Sequence, residues 1–140
     1  MANFEVKSKR TVIDQKTGND KCLTEIFFVE NCTFWAEAEQ KVLDYFNAEN
    51  EIVAMAMSKV VEVINQPKTE EDKMHLYVFR AILVAIFTDN EGYEKETKYP
   101  ILVWSKDVEE AMVIVSEYIK QGYDNMTLTA ITKTKIVEII

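Results

Sequence analysis

The sequence predicts an α+β fold made by tandem duplication of one β-β-α-β unit, with two helices packed on a mixed or antiparallel sheet and pseudo-two-fold symmetry. Three observations carry the prediction. First, Lys59-Val60-Val61-Glu62-Val63-Ile64 recurs as Lys135-Ile136-Val137-Glu138-Ile139-Ile140, differing only by exchange of β-branched aliphatics that keep the shape of a strand surface. Second, an amphipathic helical stretch precedes each copy, and Ala38, Val42 and Tyr45 have counterparts in Ala111, Val115 and Tyr118 at one constant offset. Third, a hairpin-like region precedes each helix, with Asp14 and Gly18 answered by Asp89 and Gly92. The chain reads as a single domain over residues 1–140, with repeats at 3–65 and 76–140 and a hinge at 66–75. A half of about 65 residues is marginal alone, so the two halves are expected to share one sheet.

In chain order, Phe4 to Ile13 reads as a strand with Phe4, Val6 and Val12 on one face and Glu5, Lys7 and Lys9 on the other. Residues 14–20 form a turn, with Gly18 available for positive φ, and Cys22 to Val29 returns as the second strand. Thr33 is the expected N-cap of the first helix, with Glu37 and Glu39 complementing its dipole. Trp35, Ala38, Val42, Tyr45 and Phe46 make its core stripe. A third strand is expected from about Ile52 to Ile64, followed by the polar hinge around Pro67. The second copy opens with Leu76 to Phe87, apolar at nearly every position, as a strand covered on both faces. It turns at Asn90-Glu91-Gly92 and returns over Thr97 to Trp104, with Pro100 implying an edge or a bulge. Ser105 or Asp107 caps the second helix, whose stripe is Val108, Ala111, Met112, Val115, Tyr118 and Ile119. Gly122 suits the C′ position. Met126 to Ile140 closes the fold as one long strand.

Composition narrows the function classes. The net charge is −8, with eight basic and twelve acidic residues in each half of the chain, and an acidic chain repels nucleic acid on average. The sequence contains neither a membrane-length apolar run nor a signal-peptide core, so a cytoplasmic location is expected. Cys22 and Cys32 are expected as free thiols rather than a disulfide framework. With His75 as the sole histidine, they make a poor zinc set. There is no Walker A loop, G-x-G-x-x-G or H-E-x-x-H. The pairs Glu37/Glu39 and Glu109/Glu110 could do acid–base or metal chemistry, but dipole compensation in a first helical turn explains them better. Asn31-Cys32-Thr33 and Asn125-Met126-Thr127 match a glycosylation acceptor that has no meaning in a cytoplasmic chain. The sequence therefore points away from catalysis, cofactors and metals.

The two copies differ where a surface would differ. Lys7, Lys9 and Thr11 in copy one align with Ile82, Val84 and Ile86 in copy two, and Gln40 and Lys41 align with Val113 and Ile114. The added apolar side chains Ile82, Val84, Val113 and Ile114 are candidates for an interface with a protein partner or a second copy, a homodimer being the simplest assembly. The competing class is a single-stranded nucleic-acid binder using the one basic concentration, Lys7, Lys9, Arg10, Lys16 and Lys21. Phe4, Tyr93, Tyr99 and Trp104 would then serve as stacking surfaces.

The opening Phe-x-Val strand, the aromatic-x-Glu-Ala-Glu start of Phe34-Trp35-Ala36-Glu37-Ala38-Glu39 and the aliphatic third strand resemble an uncharacterised domain-of-unknown-function family of gut Bacteroidetes and their phages, including crAss-like phages. The likeness covers the first copy better than the second, where Asp107-Val108-Glu109-Glu110-Ala111 departs from it. The resemblance implies a small accessory protein of phage or mobile-element origin and carries no activity over. The expected function is a non-catalytic interaction module.

Overall fold

The computed structural model describes residues 1–122 and 126–140. Its elements are β1 (Ala2–Ile13), β2 (Asp20–Cys32), α1 (Trp35–Tyr45), β3 (Glu51–Ser58), β4 (Glu62–Ile64), α2 (Glu70–Lys73), β5 (Tyr77–Thr88), β6 (Glu94–Ser105), α3 (Val108–Lys120), β7 (Met126–Lys133) and β8 (Ile136–Ile139). The described residues form an α+β fold with three helices and two mixed four-stranded sheets, ordered β3-β1-β2-β8 and β4-β6-β5-β7. The expectation of two helices on one shared sheet is corrected accordingly.

The correction has a definite origin. Each long strand expected at a repeat end is two strands with different partners. β3 pairs antiparallel with β1, and β7 pairs antiparallel with β5. Beyond them β4 pairs parallel with β6, and β8 pairs parallel with β2. No straight strand can serve both ladders, so the chain leaves one sheet before entering the other. The compact units follow this exchange: Met1–Ser58 with Lys135–Ile140 form unit one, and Lys59–Thr134 form unit two.

In unit one, strand alternation puts Phe4, Val6, Phe27 and Val29 on one sheet face, where they pack with Cys32 against Ala38 and Val42 of α1. In unit two, Phe79, Ala81, Leu83, Ile101 and Val103 meet Ala111 and Val115 of α3 in the same way. Each fully buried Val, Leu or Phe contributes roughly 1.5–3 kcal/mol. The edge strands β3 and β7 each carry one extra residue against their neighbour. It is Val53, where the register shifts between Lys7 and Ser8, and Thr129, where it shifts between Ile82 and Leu83. Gly18 and Gly92 supply positive φ in the two hairpin turns.

Other local expectations shift. The N-cap of α1 is Phe34, not Thr33, whose N–H instead bonds the Glu37 carboxylate at 2.8 Å. Asp107 caps α3 by accepting from Glu110 N–H at 2.8 Å. Val108 and Met112 of the expected stripe are exposed, and Ile114 packs on the core instead. Pro100 lies on the interior strand β6. Its carbonyl accepts from Val61 N–H, so its missing donor faces the side where the β4 ladder starts only at Ile101. Helix α2 occupies the polar hinge, capped by the Thr69 hydroxyl, which accepts from Asp72 N–H at 3.1 Å. Asn125, in the second glycosylation-like triplet, lies outside the described residues.

Candidate interaction surface

The repeated hexapeptides do a structural task at the sheet edges. In unit one the Tyr45 hydroxyl donates to Glu138 Oε2 at 3.3 Å, and buried Glu138 also accepts from Ile139 N–H at 3.0 Å. In unit two the Tyr118 hydroxyl donates to Glu62 Oε2. Each helix thus grips the short parallel strand beside it through one Tyr–Glu hydrogen bond. Around Tyr45 the rings of Phe27 and Phe46 stand 5.4 Å and 4.8 Å away.

The five basic residues do not make one patch. Lys7 and Lys9 are exposed on the sheet face away from α1, Lys7 beside a shallow hollow of about 150 Å3 lined by Glu5, Ile26, Ala54, Met55 and Ala56. Arg10 points to the opposite face, stacks 4.6 Å over Phe46 and binds Glu25 Oε1 at 2.6 Å. That hydrogen bond raises the Arg10 pKa above its ordinary value, against the lowering effect of burial. Lys16 lies in the turn, and Lys21 lies opposite Val12 on the Arg10 face. Of the rings considered for stacking, Phe4 and Trp104 are buried, Tyr99 packs against the core of unit two and Tyr93 is exposed.

The apolar candidates of unit two also divide. Ile82 is half-buried and Val84 buried on the face of β5 turned from α3, whereas Val113 is exposed on α3 and Ile114 packs on the core.

The residues missed by the sequence reading are Phe34 and Trp35 as a surface. Phe34 occupies an N-cap with φ −130° and ψ 156° and makes no side-chain capping bond. Its ring is 70% exposed, and Trp35 beside it is 46% exposed. Trp35 keeps one contact inward, its ring 4.8 Å from that of Phe4. Met57, 58% exposed, stands opposite Phe4 on β3 and so shares that face. Trp35 takes the place beside Phe4, and Phe34, in the extended N-cap ahead of the first helical turn, is left outside the core stripe. A hydrophobic residue where Ser, Thr, Asp or Asn is favoured breaks a local rule, and such breaks mark sites kept for another purpose.

Unit two also has an open cleft of about 430 Å3 between the α2 segment and the start of α3, lined by His75, Lys68, Asp72, Asn65, Lys106 and Glu110. Its charges are mixed, with Lys106 3.8 Å from Glu110, so it favours neither anion nor cation. Cys22 is exposed and Cys32 buried, both as free thiols. Among the described residues no three His, Cys, Asp or Glu side chains gather as a metal site, and no helix is long and apolar enough to cross a membrane.

Residues 3–140 match the model of a family described as Domain of unknown function (DUF4494), and the chain belongs to that family. No curated protein matches it.

Proposed function

We propose that this DUF4494 member is a non-catalytic accessory protein of phage or mobile-element origin, working in the cytoplasm through contact with a protein partner or a second copy of itself. The observation that carries the proposal is the exposed aromatic pair Phe34 and Trp35 at the start of α1, with exposed Met57 on the same sheet face as Phe4, against which Trp35 packs. Large aromatics and methionine are enriched at protein interfaces and supply their binding energy. Phe34 sits at the N-cap, where helix capping favours a small polar side chain. The reading includes a tandem duplication of a β-β-α-β unit. It is supported by the matching extra residues Val53 and Thr129, the two Tyr–Glu bonds and the reciprocal pairing of β4 and β8.

The test is a benzophenone photo-crosslinker in place of Phe34, with a control at exposed Glu117 on α3, in cells that naturally make the protein. The expected result is a discrete protein adduct from position 34 and none from position 117. Equal labelling from both positions would count against the surface. The runner-up is single-stranded nucleic-acid binding through exposed Lys7 and Lys9, which salt-dependent DNA retention would favour.

A further inference from the structure

Among the described residues the two sheets end in four edge strands, β3 and β8 in unit one and β4 and β7 in unit two. An edge presents backbone N–H and C=O groups to any strand that can pair with it, and proteins guard it by shortness, by polar or charged side chains, or by a bulge. β4 and β8 have three and four residues. β7 has eight, but it carries Thr127, Thr129, Thr132 and Lys133, all exposed. β3 also has eight, and Glu51 at its start is its one charge. Its exposed side chains include Val53, Ala54, Ala56 and Met57. The extra residue Val53 is its one guard. Beyond it the register is regular, with Ala54 to Ser58 opposite Lys7, Val6, Glu5, Phe4 and Asn3 in turn.

We infer that a second copy of this chain docks on this edge, β3 pairing antiparallel with β3 of the other copy about a two-fold axis at Ala56. Alternate residues of an antiparallel strand turn both backbone groups outward, so the regular run offers a second ladder. Centred on Ala56, the pairing sets Met55 opposite Met57 and Ala54 opposite Ser58, each contact occurring twice as an isologous interface requires. The faces agree. Met55 and Met57 lie opposite Val6 and Phe4, on the α1 side, and Ala54 and Ala56 lie opposite Lys7 and Glu5, on the other. Self-pairing also suits the charge. Antiparallel strands carry the two Glu51 side chains to opposite ends of the seam, whereas parallel ones would set them side by side. The pairing occupies the one open edge of each copy, so association closes at two.

The contact lies wholly within unit one, and in the whole chain Val53 is 53% and Met57 58% exposed. The inference rests on the reading that the protein acts by contact, and it names the partner as a second copy. Met57 stands opposite Phe4, on which Trp35 packs, so the seam runs beside the aromatic pair.

Sedimentation of the full chain at low ionic strength tests it. Wild type is expected to form a dimer. Ala56→Lys and Ala56→Glu each set two like charges directly opposite at the axis, so each variant alone should associate roughly fivefold to tenfold more weakly. Mixed in equal amounts, they should form a heterodimer at least as tight as the wild-type dimer, because lysine then faces glutamate. Should either variant fail to fold, Ala56→Cys with Cys22→Ser gives a second measurement, Cys32 being buried. Mild oxidation should then link two chains through position 56, since directly opposed strand residues come close enough to bridge. Monomeric wild type up to about 1 mM would overturn the inference. So would Ala56→Lys as tight as wild type, a mixture no tighter than its components, or an unlinked Ala56→Cys chain. A monomer whose position 34 still crosslinks to a different protein would overturn this inference alone and leave the proposed function in place; absence of both dimer and adduct would strike down the two together.

Discussion

Phe34→Asp separates the proposed surface from the fold. The residue already has the extended φ and ψ of an N-cap and contributes no capping bond. An aspartate there can accept from the N–H of Ala36 or Glu37, worth about 1 kcal/mol, and adds about 0.3–1 kcal/mol against the helix dipole. The loss is small. With the ring 70% exposed, only about a third of a phenylalanine's roughly 1.5–3 kcal/mol of burial is forfeited, about 0.5–1 kcal/mol. The balance is a protein of unchanged stability or one stabilised by about 1 kcal/mol, a melting shift between zero and roughly 4 °C upward for a chain of 140 residues. Urea and thermal unfolding read this directly. A loss of about 2 kcal/mol or more would mean that Phe34 is packed as core and would refute its assignment as a surface.

Four further outcomes follow from the packing. Val115→Asp puts a carboxylate at a fully buried position of α3. Burial raises such a pKa by about 3–5 units, a penalty of roughly 4 kcal/mol at pH 7 that grows to about 4–7 kcal/mol above the folded-state value. Because the folded-state pKa lies above the unfolded one, the penalty is full above the folded value and fades as pH falls. The variant should therefore be unfolded by circular dichroism at pH 7, and its deficit relative to wild type should shrink in acid; cooperative melting at pH 7 near the wild-type temperature would contradict the core. Tyr45→Phe removes the hydroxyl that holds Glu138 and should cost about 1 kcal/mol in urea unfolding. Ala48→Gly relieves a positive φ of 63° and should stabilise by up to about 1 kcal/mol. Lys7→Glu with Lys9→Glu changes only exposed side chains and should move stability by no more than about 0.5 kcal/mol.

Local periodicity carried much of the fold. The core stripes Ala38/Val42 and Ala111/Val115, the two hairpins and the recurring Lys-x-x-Glu segment were legible because each is set by residues within a few positions of one another. The destination of that segment was not. Four of the seven residues 58–64 are Val or Ile, and neither Gly nor Pro marks the exit at Lys59. Whether Val63 pairs beside β1 or beside β6 depends on a partner about 40 residues away. Helix α2 left a readable trace in Thr69-x-x-Asp72, a capping pattern hidden by the polarity of the hinge. The candidate surface was obscured because Trp35 fits the helical stripe by spacing, while its exposure depends on how far β1 and β3 extend beneath it. Ile82, Val84, Val113 and Ile114 share an apolar character in sequence but fall on opposite sides of one sheet.

Function by protein contact is tested most directly against its competitor by filter binding of the unmodified protein to single-stranded DNA at low and at physiological salt. A chain of net charge −8, with Arg10 turned to the face opposite Lys7 and Lys9, is expected to show no saturable retention at physiological salt, where charges are screened beyond about 8 Å. Tight retention falling steeply with salt, and lost when Lys7 and Lys9 become glutamate, would contradict the account.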